Sequence, residues 1–204
     1  SFYYEDGMQL VFIKSTIITL ASGLFIKYLT RGKASDEVKK REGYLIVAFG
    51  WTSMIICSAI PYLLSGTFDG ITNAFFETVS GLTTTGSSIL NNIEEMPESI
   101  LFWRSMTQWI GGMGIIVLTI ALLPLLGVGG MELFTSEAPG PTKDKIHPRI
   151  KETAKRLWLI YIFLTVFETV LLYLAEMPFF DAINHALTNI STGGFSTKQS
   201  SIGH

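Results

Sequence analysis

Apolar positions in this chain come in long blocks. No Asp, Glu, Lys or Arg occurs from Gly43 to Phe68 or from Ser105 to Met131, and Leu157 to Ala175 is interrupted only by Glu168. A helix rises about 1.5 Å per residue, so about 20 apolar residues cross about 30 Å of hydrocarbon, and these blocks predict membrane-spanning helices. A fourth block, Met8 to Thr30, contains Lys14 and Lys27. Each lies near enough to an end for its long stem to carry the ammonium to the headgroups, so this block also reads as a span.

Two further apolar runs are too short to cross. Ile71 to Leu82 and Phe179 to Ile190 hold 12 residues each, or about 18 Å as helix, enough to dip halfway. Each ends in small hydroxyl residues and glycines: Thr83-Thr84-Thr85-Gly86-Ser87-Ser88 and Ser191-Thr192-Gly193-Gly194-Phe195-Ser196-Thr197. Laying Gly86 on Gly194 superimposes Ala74 on Ala182, Asn73 on Asp181, Thr84 on Thr192 and Ser88 on Ser196, an offset of 108 residues. The order span, half-helix, extended segment and return span predicts a repeated re-entrant unit.

Non-helical backbone at membrane depth leaves amides and carbonyls unpaired unless it is buried in protein or lines water. Pores and transporters use such segments to set carbonyl oxygens along an axis, where they replace a cation's hydration shell. Glycine permits the backbone, and Thr and Ser add hydroxyl oxygens without formal charge, which suits a monovalent ion that must also leave. A ring of carboxylates would suit a divalent ion better. The C-terminal end of each inward-running half-helix carries about half a negative charge and favours a cation over an anion. The competing reading of each cluster alone is a surface turn.

Charge sharpens this picture. Only 16% of residues are charged and 48% are hydrophobic, against about 25% charged in a soluble domain, which argues against a soluble enzyme. The net charge of -2 offers nothing to nucleic acid. Cys57 is the one cysteine, so the chain has no intrachain disulfide and no Cys/His spacing for zinc. Eleven of the 15 basic residues fall in two stretches, Arg31 to Arg41 and Lys143 to Arg156, which places residues 31–42 and 132–152 in the cytoplasm and Ser1 to Gly7 outside. The intervening loops Asp69–Asn92 and Glu94–Phe102 carry acids and no Lys or Arg. Ser1 to Gly7 lacks the basic region of a signal peptide, so the start reads as an internal cut.

The runs REGYLIVAFGW, DGITNAFFETVSGLTTTGSSIL, FWRSMTQWIGGMGIIVL and HALTNISTGGFSTKQSSIG resemble the Trk/Ktr/HKT superfamily of potassium transporters, and within it the TrkH-type membrane subunit. The resemblance implies an all-α integral membrane protein in which four helix, pore-loop, helix repeats in one chain surround a pore. Residues 1–42 then supply an extra N-terminal helix and cytoplasmic loop, 43–131 the first repeat, 132–152 a cytoplasmic linker and 153–204 the second repeat without its return helix. On that pattern Thr84, Thr85, Gly86 and Ser87 form one strand of the selectivity filter, and Thr192, Gly193, Gly194 and Phe195 another. Potassium, the transported ligand, would be held at Thr84, Thr85, Gly86, Thr192, Gly193 and Gly194. Glycine at 86 implies potassium over sodium. The resemblance further implies the inner membrane, a homodimer, contact with membrane lipid, a cytoplasmic nucleotide-binding partner of the TrkA type, and no covalently bound cofactor. Alternatives are a sodium or mixed monovalent cation transporter, a non-conducting assembly fragment, and an intramembrane hydrolase or transferase. The last lacks a Gly-x-Ser-x-Gly elbow and has only His147, His185 and His204 as bases.

Several residues also have structural readings. Glu168, inside a span, should face protein and hydrogen-bond there. Glu77 and His185 occupy equivalent places in the half-helices and are expected to pack. Arg104 is expected to anchor at headgroups or pair with Glu94, Glu95 or Glu98. Gly111, Gly112 and Gly114 predict close helix contact. Gly127, Gly129 and Gly130 lack the Lys-Ser/Thr of a phosphate loop.

Overall fold

The computed structural model describes residues 6–31, 40–126, 143–201 and 203, with only the backbone of residues 40, 41, 115–126 and 143–151. Every regular element among the described residues is helical: α1 Gln9–Leu29, α2 Lys40–Ser65, α3 Ile71–Leu82, a 3-10 turn Ile93–Glu95, α4 Glu98–Leu126, α5 Lys143–Leu174 and α6 Phe179–Ile190. Three stretches are long and apolar enough to cross a membrane, Gln9–Leu29, Glu42–Ser65 and Glu152–Leu174. Helix α4, with 29 residues and no charge after Glu98 and Arg104, has the length for a fourth. The chain is a multi-pass membrane protein. Its long helices turn large apolar side chains outward, among them Leu24 and Phe25 on α1, Phe49 on α2 and Phe163 and Phe167 on α5, the surface that lipid requires.

The two short helices have the bounds that their apolar runs predict. Helix α4 lies at the centre, packed on α2, α3, α5 and α6. Its glycines explain how. A methyl on Gly111 would collide with the carbonyl of Leu82, the last residue of α3. A methyl on Gly112 would stand 2.7 Å from the Tyr161 hydroxyl and 3.0 Å from Cβ of Ser191, just past the end of α6. Adjacent glycines of one span thus admit the C-terminal ends of both short helices, the close contact expected of this sequence. Gly127, Gly129 and Gly130, the basic loop residues Lys33 and Lys39, and the linker 132–142 lie outside the described residues.

Specific bonds hold the long helices to one another. The indole N–H groups of Trp103 and Trp109 donate to the Ser58 carbonyl (3.1 Å) and the Thr165 hydroxyl (3.0 Å), tying α4 to α2 and to α5. The Asp6 carboxylate accepts from the backbone N–H of Ser99 at 2.9 Å, in the first turn of α4. An anion is favoured at a helix N-terminus, where amides are unpaired. The start of α1 is therefore pinned to the start of α4. A small core of Tyr62, Phe68, Ala74 and Ile100 joins α2, α3 and α4 on that side.

Candidate ion-filter site

Both short helices end in the same way. After α3 the Thr84 N–H donates to the Gly81 carbonyl and the Thr85 N–H to the Ser80 carbonyl, each at 2.9 Å. After α6 the Thr192 N–H donates to Asn189 and the Gly193 N–H to Thr188, each at 2.8 Å. These paired bonds are a Schellman motif, which needs a left-handed residue just past the cap. Threonine fills that position twice, Thr84 with φ 56° and Thr192 with φ 58°, although a left-handed non-glycine residue costs about 1–2 kcal/mol. Two residues on, Gly86 (φ 77°) and Gly194 (φ 80°) are left-handed again. Extended backbone points successive carbonyls to opposite sides. A left-handed residue at every second place rotates the peptide planes between them and lets neighbouring carbonyls share a side.

The correspondence at 108 residues continues beyond the glycines. The Ser88 hydroxyl accepts from the Leu90 N–H (3.1 Å), and that of Ser196 from the Lys198 N–H (3.0 Å). Each following segment is tied back to its own short helix: the Glu77 carboxylate accepts from the Ser88 hydroxyl (2.9 Å) and the Ile89 N–H (3.1 Å), and that of Asp181 from the Thr197 hydroxyl (2.5 Å).

The two segments touch. A methyl on Gly86 would overlap the carbonyl oxygen of Gly193, so this glycine is required both by its φ and by its neighbour. Thr85, Ser87, Thr192 and Gly194 are exposed, Thr84 and Gly86 partly so, and Gly193 and Phe195 are buried. The eight residues proposed as filter strands are therefore brought together, with one qualification about side chains. The Phe195 ring packs behind its strand, so only backbone from this residue is available to an ion.

Arg104 corrects the expectation drawn from the sequence. It is not at the headgroups and does not pair with Glu94, Glu95 or Glu98. Only 1% exposed, it donates from Nε to Glu77 (2.9 Å), from Nη2 to the Ser88 hydroxyl (3.1 Å) and from Nη1 to the Ser196 carbonyl (3.2 Å), and its guanidinium lies 4.2 Å from the Phe195 ring centre. One cation thus joins the segments after both short helices, a use that suits the planar fork of arginine. Burial strips the guanidinium of water, and three hydrogen-bonding partners together with the Phe195 ring offset that cost. Glu77, read as a packing residue, is the other half of this joint. Gln108, one turn along α4, was not singled out; its Oε1 accepts from the Phe195 N–H at 3.1 Å. The signal for Arg104 and Gln108 was their i, i+4 spacing on a span that carries no charge after Arg104. Glu168 meets its expectation, accepting from the Asn189 amide at 2.7 Å.

Among the described residues no group of three or more His, Cys, Asp or Glu side chains is placed to hold a metal ion. The oxygens on offer are carbonyls and hydroxyls, the donor set of a weakly held monovalent cation rather than a resident metal.

Comparison with known proteins agrees with this geometry. Residues 8–204 match the family model TrkH, cation transport protein. The Trk system potassium uptake protein TrkH of Escherichia coli strain K12 is 50% identical over 98% of this chain, and that of Salmonella typhimurium 49% over 98%. TrkG of the same Escherichia coli strain is 39% identical over 99%. The chain spans 42% of the length of each of these relatives. The crystal structure of the potassium transporter TrkH from Vibrio parahaemolyticus superimposes with a TM-score of 0.83 at 39% identity, covering 100% of this chain and 40% of that one. From the doubled half-helix with its unwound strand to the match along nearly its whole length, this chain belongs to the TrkH family of cation transport proteins.

Proposed function

We propose that this chain supplies two of the strands of a selectivity filter through which a full-length protein takes up potassium across the inner membrane. The observation that carries the reading is the contact between Gly86 and the Gly193 carbonyl, made by two segments with the same alternation of left-handed residues. Potassium is held by carbonyls of Thr84, Thr85, Gly86, Thr192, Gly193 and Gly194, with backbone from Ser87 and Phe195 completing the strands. The C-termini of α3 and α6 aim their partial negative charge at the same place. The names of the relatives, all potassium uptake proteins, support the choice of ion. So does glycine at 86, by the family resemblance. No covalent step is needed, and the relatives are transporters rather than enzymes.

To the same reading belong the remaining assignments. Residues 43–131 form the first repeat and 153–204 most of the second, with 1–42 as extra helix and loop and 132–152 as linker. Residues 31–42 and 132–152 face the cytoplasm. The complete protein is a homodimer and meets a nucleotide-binding TrkA-type subunit at that face.

Potassium uptake by cells lacking their own uptake systems tests the reading, with the full-length protein and its Gly86→Ala and Gly194→Ala variants compared at equal membrane abundance. Each variant is expected to lose uptake by about tenfold or more. Wild-type uptake in both would refute the filter, and faster sodium than potassium uptake by the unmodified protein would move the assignment to sodium.

A further inference from the structure

We propose that Gln108 is a positioning residue that sets the separation of the first and second filter strands and thereby the discrimination between potassium and the smaller sodium ion; this rests on the filter reading above. Gln108 has no solvent exposure and its carboxamide packs against the second strand beside the point where the two strands meet. Oε1 accepts from the Phe195 N–H at 3.1 Å. A methyl at Gly193 would overlap the carboxamide carbon and stand 2.6 Å from Nε2, and a methyl at Gly86 would stand 3.8 Å from the same nitrogen. The group therefore touches the backbone of the second strand and lies beside Gly86 of the first, where the two meet.

A difference between the repeats has the same origin. By the offset of 108, Gly193 corresponds to Thr85. Gly193 is absent from the residues with positive φ, so backbone conformation does not require glycine there. Space does: the Gln108 carboxamide occupies the volume that a side chain at 193 would fill. The strand nearer the carboxamide carries glycine at this place, and the other carries threonine. The Nε2 group is buried with no hydrogen-bond partner. A buried donor without an acceptor is costly, and here it is held against two strands whose carbonyls are the proposed ion ligands. Selectivity between monovalent cations depends on the size of the oxygen cage and the field of its dipoles. A side chain that spaces two strands acts on the first, and a polar N–H beside them acts on the second.

The test is the potassium-to-sodium flux ratio of the full-length protein in liposomes. Gln108→Leu shortens the side chain by one bond and removes the amide; it is expected to lower the ratio by about tenfold while changing potassium flux by about threefold or less. Gly193→Ala is expected to lower both flux and ratio, and Gly193→Ala with Gln108→Ala, which gives the new methyl room, to recover potassium flux by about threefold or more while the ratio stays low, because the positioning amide is gone. A loss of folding alone would reduce flux for both ions together and leave the ratio in place. An unchanged ratio in Gln108→Leu, or a double variant that regains the ratio of the unmodified protein or recovers no flux over Gly193→Ala, overturns the proposal, and the pair decides the matter if the leucine variant fails to fold. Gly86→Ala measured alongside separates the two readings. If it leaves flux and ratio unchanged, the filter and this proposal fall together. If it alters them beside an unaltered Gln108→Leu, only the positioning role fails.

Discussion

The Nε of Arg104 donates to the carboxylate of Glu77 at 2.9 Å, with the two side chains 1% and 0% exposed. Removing one partner of a buried pair leaves the other charge without compensation and costs about 3–5 kcal/mol, whereas replacing both by apolar groups costs far less. Arg104→Leu and Glu77→Leu are each expected to lower the unfolding midpoint of the full-length protein in detergent. The double variant should lie above the sum of the two effects. Additive losses would show that the joint between the segments is not one unit.

Gly111 and Gly114 make opposite predictions on one helix. Alanine at 111 drives a methyl into the Leu82 carbonyl, a backbone atom that cannot step aside, whereas at 114 the methyl meets the Trp51 ring at an ordinary 3.7 Å. Gly111→Ala should destabilise by about 1–3 kcal/mol through overpacking, and Gly114→Ala by much less. Thermal unfolding of the two variants side by side measures the difference.

Asp6 predicts a dependence on pH. Burial opposes its ionisation, but the backbone N–H groups of Ser99 and Met8, which donate to it, help to outweigh this, and its carboxyl is held below the ordinary 3.8. A lowered folded-state pKa means that the stabilisation is complete above the unfolded value and is lost as pH falls through the folded one. Asp6→Ala should therefore be less stable than the unmodified protein at neutral pH, with the gap closing only below about pH 4. A gap that persists undiminished in stronger acid would assign the effect to packing.

The sequence made the architecture legible through length. Largely apolar runs of 12 residues are too short to cross and end in residues that favour caps and turns over helix interiors, so α3 and α6 were readable together with their bounds. The glycines of α4 were readable as contacts because they interrupt a span with no other use for them. What local pattern could not reveal was partnership. Arg104 reaches Ser196, 92 residues away, and Gln108 reaches Phe195, 87 residues away. Near neighbours such as Glu94 and Glu98 therefore looked like the natural counterions. Threonine in the left-handed position after both helices was equally hidden, because propensity favours glycine there and the geometry is imposed by the capping bonds.

Reactivity of a single thiol at Thr85 tests most directly whether the paired segments line a water-filled path for potassium. In a cysteine-free full-length protein carrying Thr85→Cys, a membrane-impermeant thiol reagent added from outside should block uptake, and potassium should slow its reaction. A thiol that does not react, or one that reacts at the same rate with or without potassium and leaves uptake untouched, would contradict the account.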